Sequence, residues 1–82
     1  MQLDNRLVTI FTAIFPAETV RQMNLDSSTD TVEGWNSHTY VEIILAIETE
    51  FRLELSTLEA ARMSSIRAIY ELLGEKGIEL EQ

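Results

Sequence analysis

The sequence predicts an all-α fold, a small four-helix bundle with a short third helix and a long loop between helices one and two. Three observations carry that prediction. Apolar residues recur at helical spacing in separate segments, capping residues precede the later segments, and residues 24–34 hold too few apolar side chains to form a helix face. At 82 residues the chain holds one domain, because a chain this short buries only about 60% of its unfolded surface and has nothing to spare for a second core. The domain is read as residues 1–82, with its core over about 3–74 and residues 75–82 frayed.

Leu3, Leu7, Val8, Ile10, Phe11, Ile14 and Phe15 define the first helix, from about Leu3 to Ile14. Pro16 follows and biases Phe15 away from helical geometry. Pro16 can open a short helical turn through Glu18 and Arg21, after which the Asn, Asp, Ser, Thr and Gly-rich stretch to Gly34 reads as a loop. A loop of that length in so small a domain is usually functional or disordered. The central helix carries Tyr40, Val41, Ile43, Ile44, Leu45, Ala46, Ile47 and Phe51, with Glu42, Glu48 and Glu50 on its wet side. Either Asn36 or Ser37 can cap it. Ser56-Thr57-Leu58-Glu59 reads as a capping box opening a short helix to about Met63. Ser64 or Ser65 caps the last helix, whose face is Ile66, Ile69, Tyr70, Leu72 and Leu73 and whose end is Gly74. The expected core is Val41, Ile44, Leu45, Ile47, Phe51, Met63, Ile66 and Ile69, with Trp35 and Tyr40 packing at the bundle edge.

A net charge of -8 argues against nucleic acid, which needs clustered Lys and Arg, and favours partners with basic surfaces. With no Cys there is neither a disulfide framework nor a thiolate metal site, and any thiol must come from an attached group. The N-terminus interleaves Asp4, Asn5, Arg6, Thr9 and Thr12 with its apolar residues, unlike a secretory signal, and no run approaches the roughly 20 apolar residues of a membrane span. The expectation is a cytoplasmic monomer that does not enter a membrane.

The recognisable constellation is Gly34-Trp35-Asn36-Ser37-His38, leading directly into the central helix. A phosphate on the Ser37 oxygen would sit where unpaired N–H groups and the positive end of the helix dipole favour an anion. Taken alone, a serine at a helix start is ordinarily a cap. The wider sequence says more. From Asn36 to Leu73 the chain resembles the acyl carrier protein family without a gap. Asn36-Ser37-His38-Thr39-Tyr40-Val41-Glu42-Ile43 stands where the family has its Asp-Ser-Leu motif and following helix, and Leu45-Ala46-Ile47-Glu48-Thr49-Glu50-Phe51 resembles the family's Ala-Leu-Glu-Glu-Glu-Phe segment. Ser56-Thr57-Leu58-Glu59-Ala60-Ala61 resembles its short acidic third helix, and Thr31-Val32-Glu33-Gly34-Trp35 looks like the entry to the motif in stand-alone carriers.

The resemblance implies that a phosphopantetheinyl transferase attaches 4′-phosphopantetheine from coenzyme A to Ser37, and that the thiol of this arm carries acyl groups as thioesters. It implies no catalytic residue in the chain itself, and partners that load and transfer the acyl group through basic docking surfaces. Glu42 and Glu48 match the family's docking positions, while Glu54 and Glu59 are undecided. Two residues depart from the pattern, both beside the serine: Asn36 replaces an Asp and His38 replaces a Leu. Asn can still cap but lacks the charge that helps engage a basic transferase. His38 is polar where a small apolar contact is usual.

Two other readings compete. An unmodified bundle of this fold can serve as an interaction module. A serine hydrolase would need Ser37 and His38 to meet, but adjacent residues on a helix do not face each other, and a single His in one small domain offers little scaffold for a catalytic site. Glu50 and Glu54 have helical spacing without a ligand loop, so no metal is expected.

Overall fold

The computed structural model describes residues 3–81 and is all-α. It contains five helices: α1 (Asn5–Ile14), α2 (Ala17–Arg21), α3 (Ser37–Phe51), α4 (Thr57–Ala61) and α5 (Ile66–Glu75). The four expected helices are present, and the turn after Pro16 is itself a short fifth one. Pro16 supplies the entry to α2 without needing an N–H there. The Cα radius of gyration of 11.5 Å is that of one closed domain.

Every helix but α2, which Pro16 opens without a side-chain cap, starts where a side chain satisfies first-turn N–H groups. Asp4 accepts from the Arg6 N–H, so α1 begins at Asn5 rather than at Leu3. Ser56 and Glu59 form the expected capping box on α4, and Ser65, not Ser64, caps α5 through the Ala68 N–H. α4 stops at Ala61, short of Met63. α5 runs through Gly74, and the left-handed residue beyond it is Gly77, at φ 86°. The loop between α2 and α3 lies against α5: the Ile66 and Arg67 N–H groups donate to Ser27 and Leu25 carbonyls, and the Thr29 N–H donates to Ser64.

The core is built from α1, α3 and α5 and closed by the loops. Leu7, Phe11, Ile47, Ile66, Ile69, Leu72 and Leu73 are wholly buried. Phe11, Phe15 and Trp35 form an aromatic trio with ring centroids 5.8–6.3 Å apart. Trp35 is therefore a core residue, whose indole N–H finds no partner among the described residues. The α3 contribution differs from expectation. Ile43 and Ile47 point inward, Ile44 and Phe51 are half-buried, and Val41 and Leu45 face outward at 55% and 57% exposure. Apolar residues ring most of α3, and only tertiary packing decides which of them turn in.

The segment expected to fray is tied down over its described length; Gln82 lies outside the described residues. The Ile78 N–H donates to the Leu73 carbonyl, Ile78 and Leu80 rest on the core, and Arg6 donates to the Glu79 carbonyl. At the centre is Asp4, whose side chain is 5% exposed. Its carboxylate accepts from the Glu81 N–H at 3.0 Å and from Arg6, while its own N–H donates to the Tyr70 hydroxyl, which donates on to the Glu81 carbonyl. The Arg6 hydrogen bond outweighs burial and pulls the Asp4 carboxyl down to about 2 from 3.8. Arg6 also lies over the Phe51 ring, 5.0 Å from its centroid. No helix among the described residues is long and apolar enough to cross a membrane.

Candidate functional site

The chain enters α3 through a tight reversal at Gly34. Its φ of 90° suits glycine, and its Cα side faces the Phe15 ring. Trp35, buried next to it, anchors the entry to the core. Three exposed residues follow: Asn36, Ser37 and His38.

Asn36, not Ser37, is the cap. Its Oδ1 accepts from the His38 N–H at 3.0 Å and from the Thr39 N–H at 3.2 Å. The Thr39 hydroxyl accepts from the Asn36 N–H at 2.9 Å and donates to the Gly34 carbonyl at 2.6 Å. Ser37 is the first residue of α3, and its hydroxyl makes no hydrogen bond among the described residues. The helix start is thus satisfied without it. Because Asn36 occupies two of the first-turn N–H groups, an anion at Ser37 would meet the Ser37 N–H and the helix dipole rather than an open row of donors. No carboxylate stands in the first turn to repel it.

His38 does not reach Ser37 as a base. Its imidazole extends along α3, with Nε2 3.5 Å from Glu42 Oε1, and is 83% exposed. A pair so exposed contributes little to stability.

The two carboxylates expected to dock partners sit differently. At about 100° per residue, Leu45 falls between Glu42 and Glu48 on the outer face of α3. Glu42 is exposed and rims a groove of about 570 Å³ between α1 and α3, lined also by Ile10, Ala13, Ile14, Leu45 and Ala46. Glu48 is half-buried and accepts from the Leu55 N–H at 2.9 Å, so it also holds the turn before α4. Glu59 is likewise structural. It closes the α4 capping box and pairs with Lys76 at 2.7 Å, the Lys76 hydrogen bond lowering its carboxyl. Glu54 is exposed.

Among the described residues, five of the six basic side chains, all but Arg52, pair with carboxylates of the chain itself, leaving the outer face of α3 acidic. Tyr40, half-buried as an edge residue, donates to the Ala60 carbonyl at 2.7 Å and ties α4 to α3. Among the described residues no cluster of three or more His, Cys, Asp or Glu is arranged to hold a metal.

Thr39 is the site residue that sequence reasoning passed over. Its position three residues after Asn36 is that of a capping-box partner, but Glu or Gln is the usual residue there. No protein-family model matches the chain, and no curated protein matches it.

Proposed function

We propose that this chain is an acyl carrier protein, which holds acyl groups as thioesters on 4′-phosphopantetheine attached to Ser37 and presents them to partner enzymes without catalysing a reaction itself. One observation carries this: Ser37 is exposed at the first position of a 15-residue helix, and its hydroxyl is left unengaged because Asn36 and Thr39 satisfy the helix start. The resemblance of residues 36–73 to acyl carriers supports the same assignment.

The residues present fit the group. The free hydroxyl accepts the phosphoryl link, and the dipole of α3 favours the resulting phosphodiester. When bound, the arm supplies the thiol that this cysteine-free chain lacks. Glu42 and Glu48, with Leu45 between them and Val41 alongside, form an acidic face with an apolar centre. Such a face suits weak, fast, salt-sensitive docking of basic enzymes, with the transferase among them. The setting we propose is cytoplasmic and the working form a monomer.

The test is direct. Incubated with coenzyme A and a broad-specificity phosphopantetheinyl transferase, the chain gains the mass of one phosphopantetheinyl group, and Ser37→Ala gains none. No gain in the parent, or a gain that survives the substitution, sinks the proposal. A parent that stays unmodified while retaining its fold favours the interaction module, and esterase activity lost in Ser37→Ala would instead indicate a hydrolase.

A further inference from the structure

We propose that Thr39 is a positioning residue for the modification of Ser37, acting through the clamp its hydroxyl makes across residues 34–36. The inference rests on the carrier reading above and concerns what keeps the serine available.

Two residues, Asn36 and Ser37, are each able to cap α3, and the choice has a chemical consequence. A serine that caps a helix spends its oxygen accepting backbone N–H groups from the first turn. Here Asn36 caps, and Thr39 secures that outcome from both sides. Its N–H donates to Asn36 Oδ1 at 3.2 Å, its hydroxyl accepts from the Asn36 N–H at 2.9 Å, and the same hydroxyl donates to the Gly34 carbonyl at 2.6 Å. Gly34, at φ 90°, turns its Cα side toward the Phe15 ring, and Trp35 beside it is buried in the core, so the clamp is referenced to the core. Ser37 lies directly beside the span it closes.

Modification forms a bond between Ser37 Oγ and the phosphorus that bears pantetheine and breaks that phosphorus's bond to the bridging oxygen of coenzyme A. The adenosine bisphosphate departs, and the hydroxyl proton passes to a base on the transferase. The step needs Ser37 Oγ free and fixed in direction. Without the Thr39 hydroxyl, the Gly34 carbonyl and the Asn36 N–H lose their partner at an exposed site where water replaces it. Asn36 then loosens, Ser37 competes as the cap, and its oxygen is drawn into the helix start. The expected signature is a catalytic defect with a small change in stability.

The experiment compares the parent, Thr39→Val and Thr39→Ser as substrates of a broad-specificity transferase with coenzyme A, with helix content followed by circular dichroism. Thr39→Val should lower kcat about tenfold while its KM stays within about twofold of the parent, because misplacement of the nucleophile acts on the transfer step. Thr39→Ser restores the hydroxyl and should recover the parental kcat. Four results overturn the proposal: Thr39→Val at the parental kcat, a defect confined to KM, Thr39→Ser as slow as Thr39→Val, or a Thr39→Val chain that lacks helical signal. If the parent itself takes no phosphopantetheine, the carrier reading fails and Thr39 falls with it. A modified parent beside an equally fast Thr39→Val chain removes Thr39 alone.

Discussion

Phe11→Ala is expected to lower the stability of the chain by about 3–5 kcal/mol. Phe11 is wholly buried, and its ring meets both Phe15 and Trp35. Deleting it removes the transfer free energy of the ring and opens a cavity beneath the entry to α3. At about 0.05–0.15 kcal/mol per residue, a chain of this length has roughly 4–12 kcal/mol in total, so one such loss consumes much of it. The urea midpoint, followed by circular dichroism, measures the effect. Phe11→Leu, which keeps most of the apolar volume, should lose much less. A midpoint unmoved by Phe11→Ala would mean that the trio does not hold the domain together.

Asp4→Asn should cost about 1–3 kcal/mol, the usual penalty for leaving buried donors unsatisfied. The carboxylate now serves the Glu81 N–H, the Arg6 N–H and the Arg6 guanidinium together, and an amide turns one of its acceptors into another donor. The same group makes stability depend on acidity. Its carboxyl lies at about 2 against an ordinary value of 3.8. The native state therefore holds the proton less tightly than the unfolded chain, and Asp4 contributes fully above 3.8. That contribution is lost as pH falls from about 3.8 through about 2. The urea midpoint of the parent should decline through this window, and the Asp4→Asn substitution should flatten the decline. Glu59, half-buried and lowered by Lys76, and Glu75, exposed and lowered by Arg62, add weaker contributions of the same sign. An equal acid limb in the parent and in Asp4→Asn would show that Asp4 does not set the decline.

The helices were legible because their signals are local: the period of Leu7, Ile10, Phe11 and Ile14, the Ser56–Glu59 box, and a serine cap at 64 or 65, of which the fold uses Ser65. The inward face of α3 was not. With Tyr40, Val41, Ile43, Ile44, Leu45 and Ile47 crowded together, the period is blurred, and tertiary packing, chiefly against α1, puts Ile43 inside and Val41 outside. The docked tail was equally hidden. Its hold depends on Asp4 meeting Glu81 and on Tyr70 joining both, contacts between residues up to 77 apart in the chain. Asp4 did carry one readable sign, an acid immediately before a periodic helix.

At the candidate site, Ser37 was legible through the motif around it, whereas its freedom from capping duty was not. That freedom depends on Thr39 reaching back to Gly34. Glu42 and Glu48 read alike in the sequence, yet only the fold separates an open carboxylate from one that also holds the Leu55 N–H.

Among the six serines, Ser56 and Ser65 are occupied as caps and Ser27 is buried, while Ser37 combines exposure with a free hydroxyl at the start of the longest helix. The most direct measurement is fragmentation mass spectrometry of the chain isolated from the cells that make it. One phosphopantetheine, borne by Ser37, is the expected result. A chain that is unmodified throughout, or that carries the group on another residue, would contradict the carrier assignment.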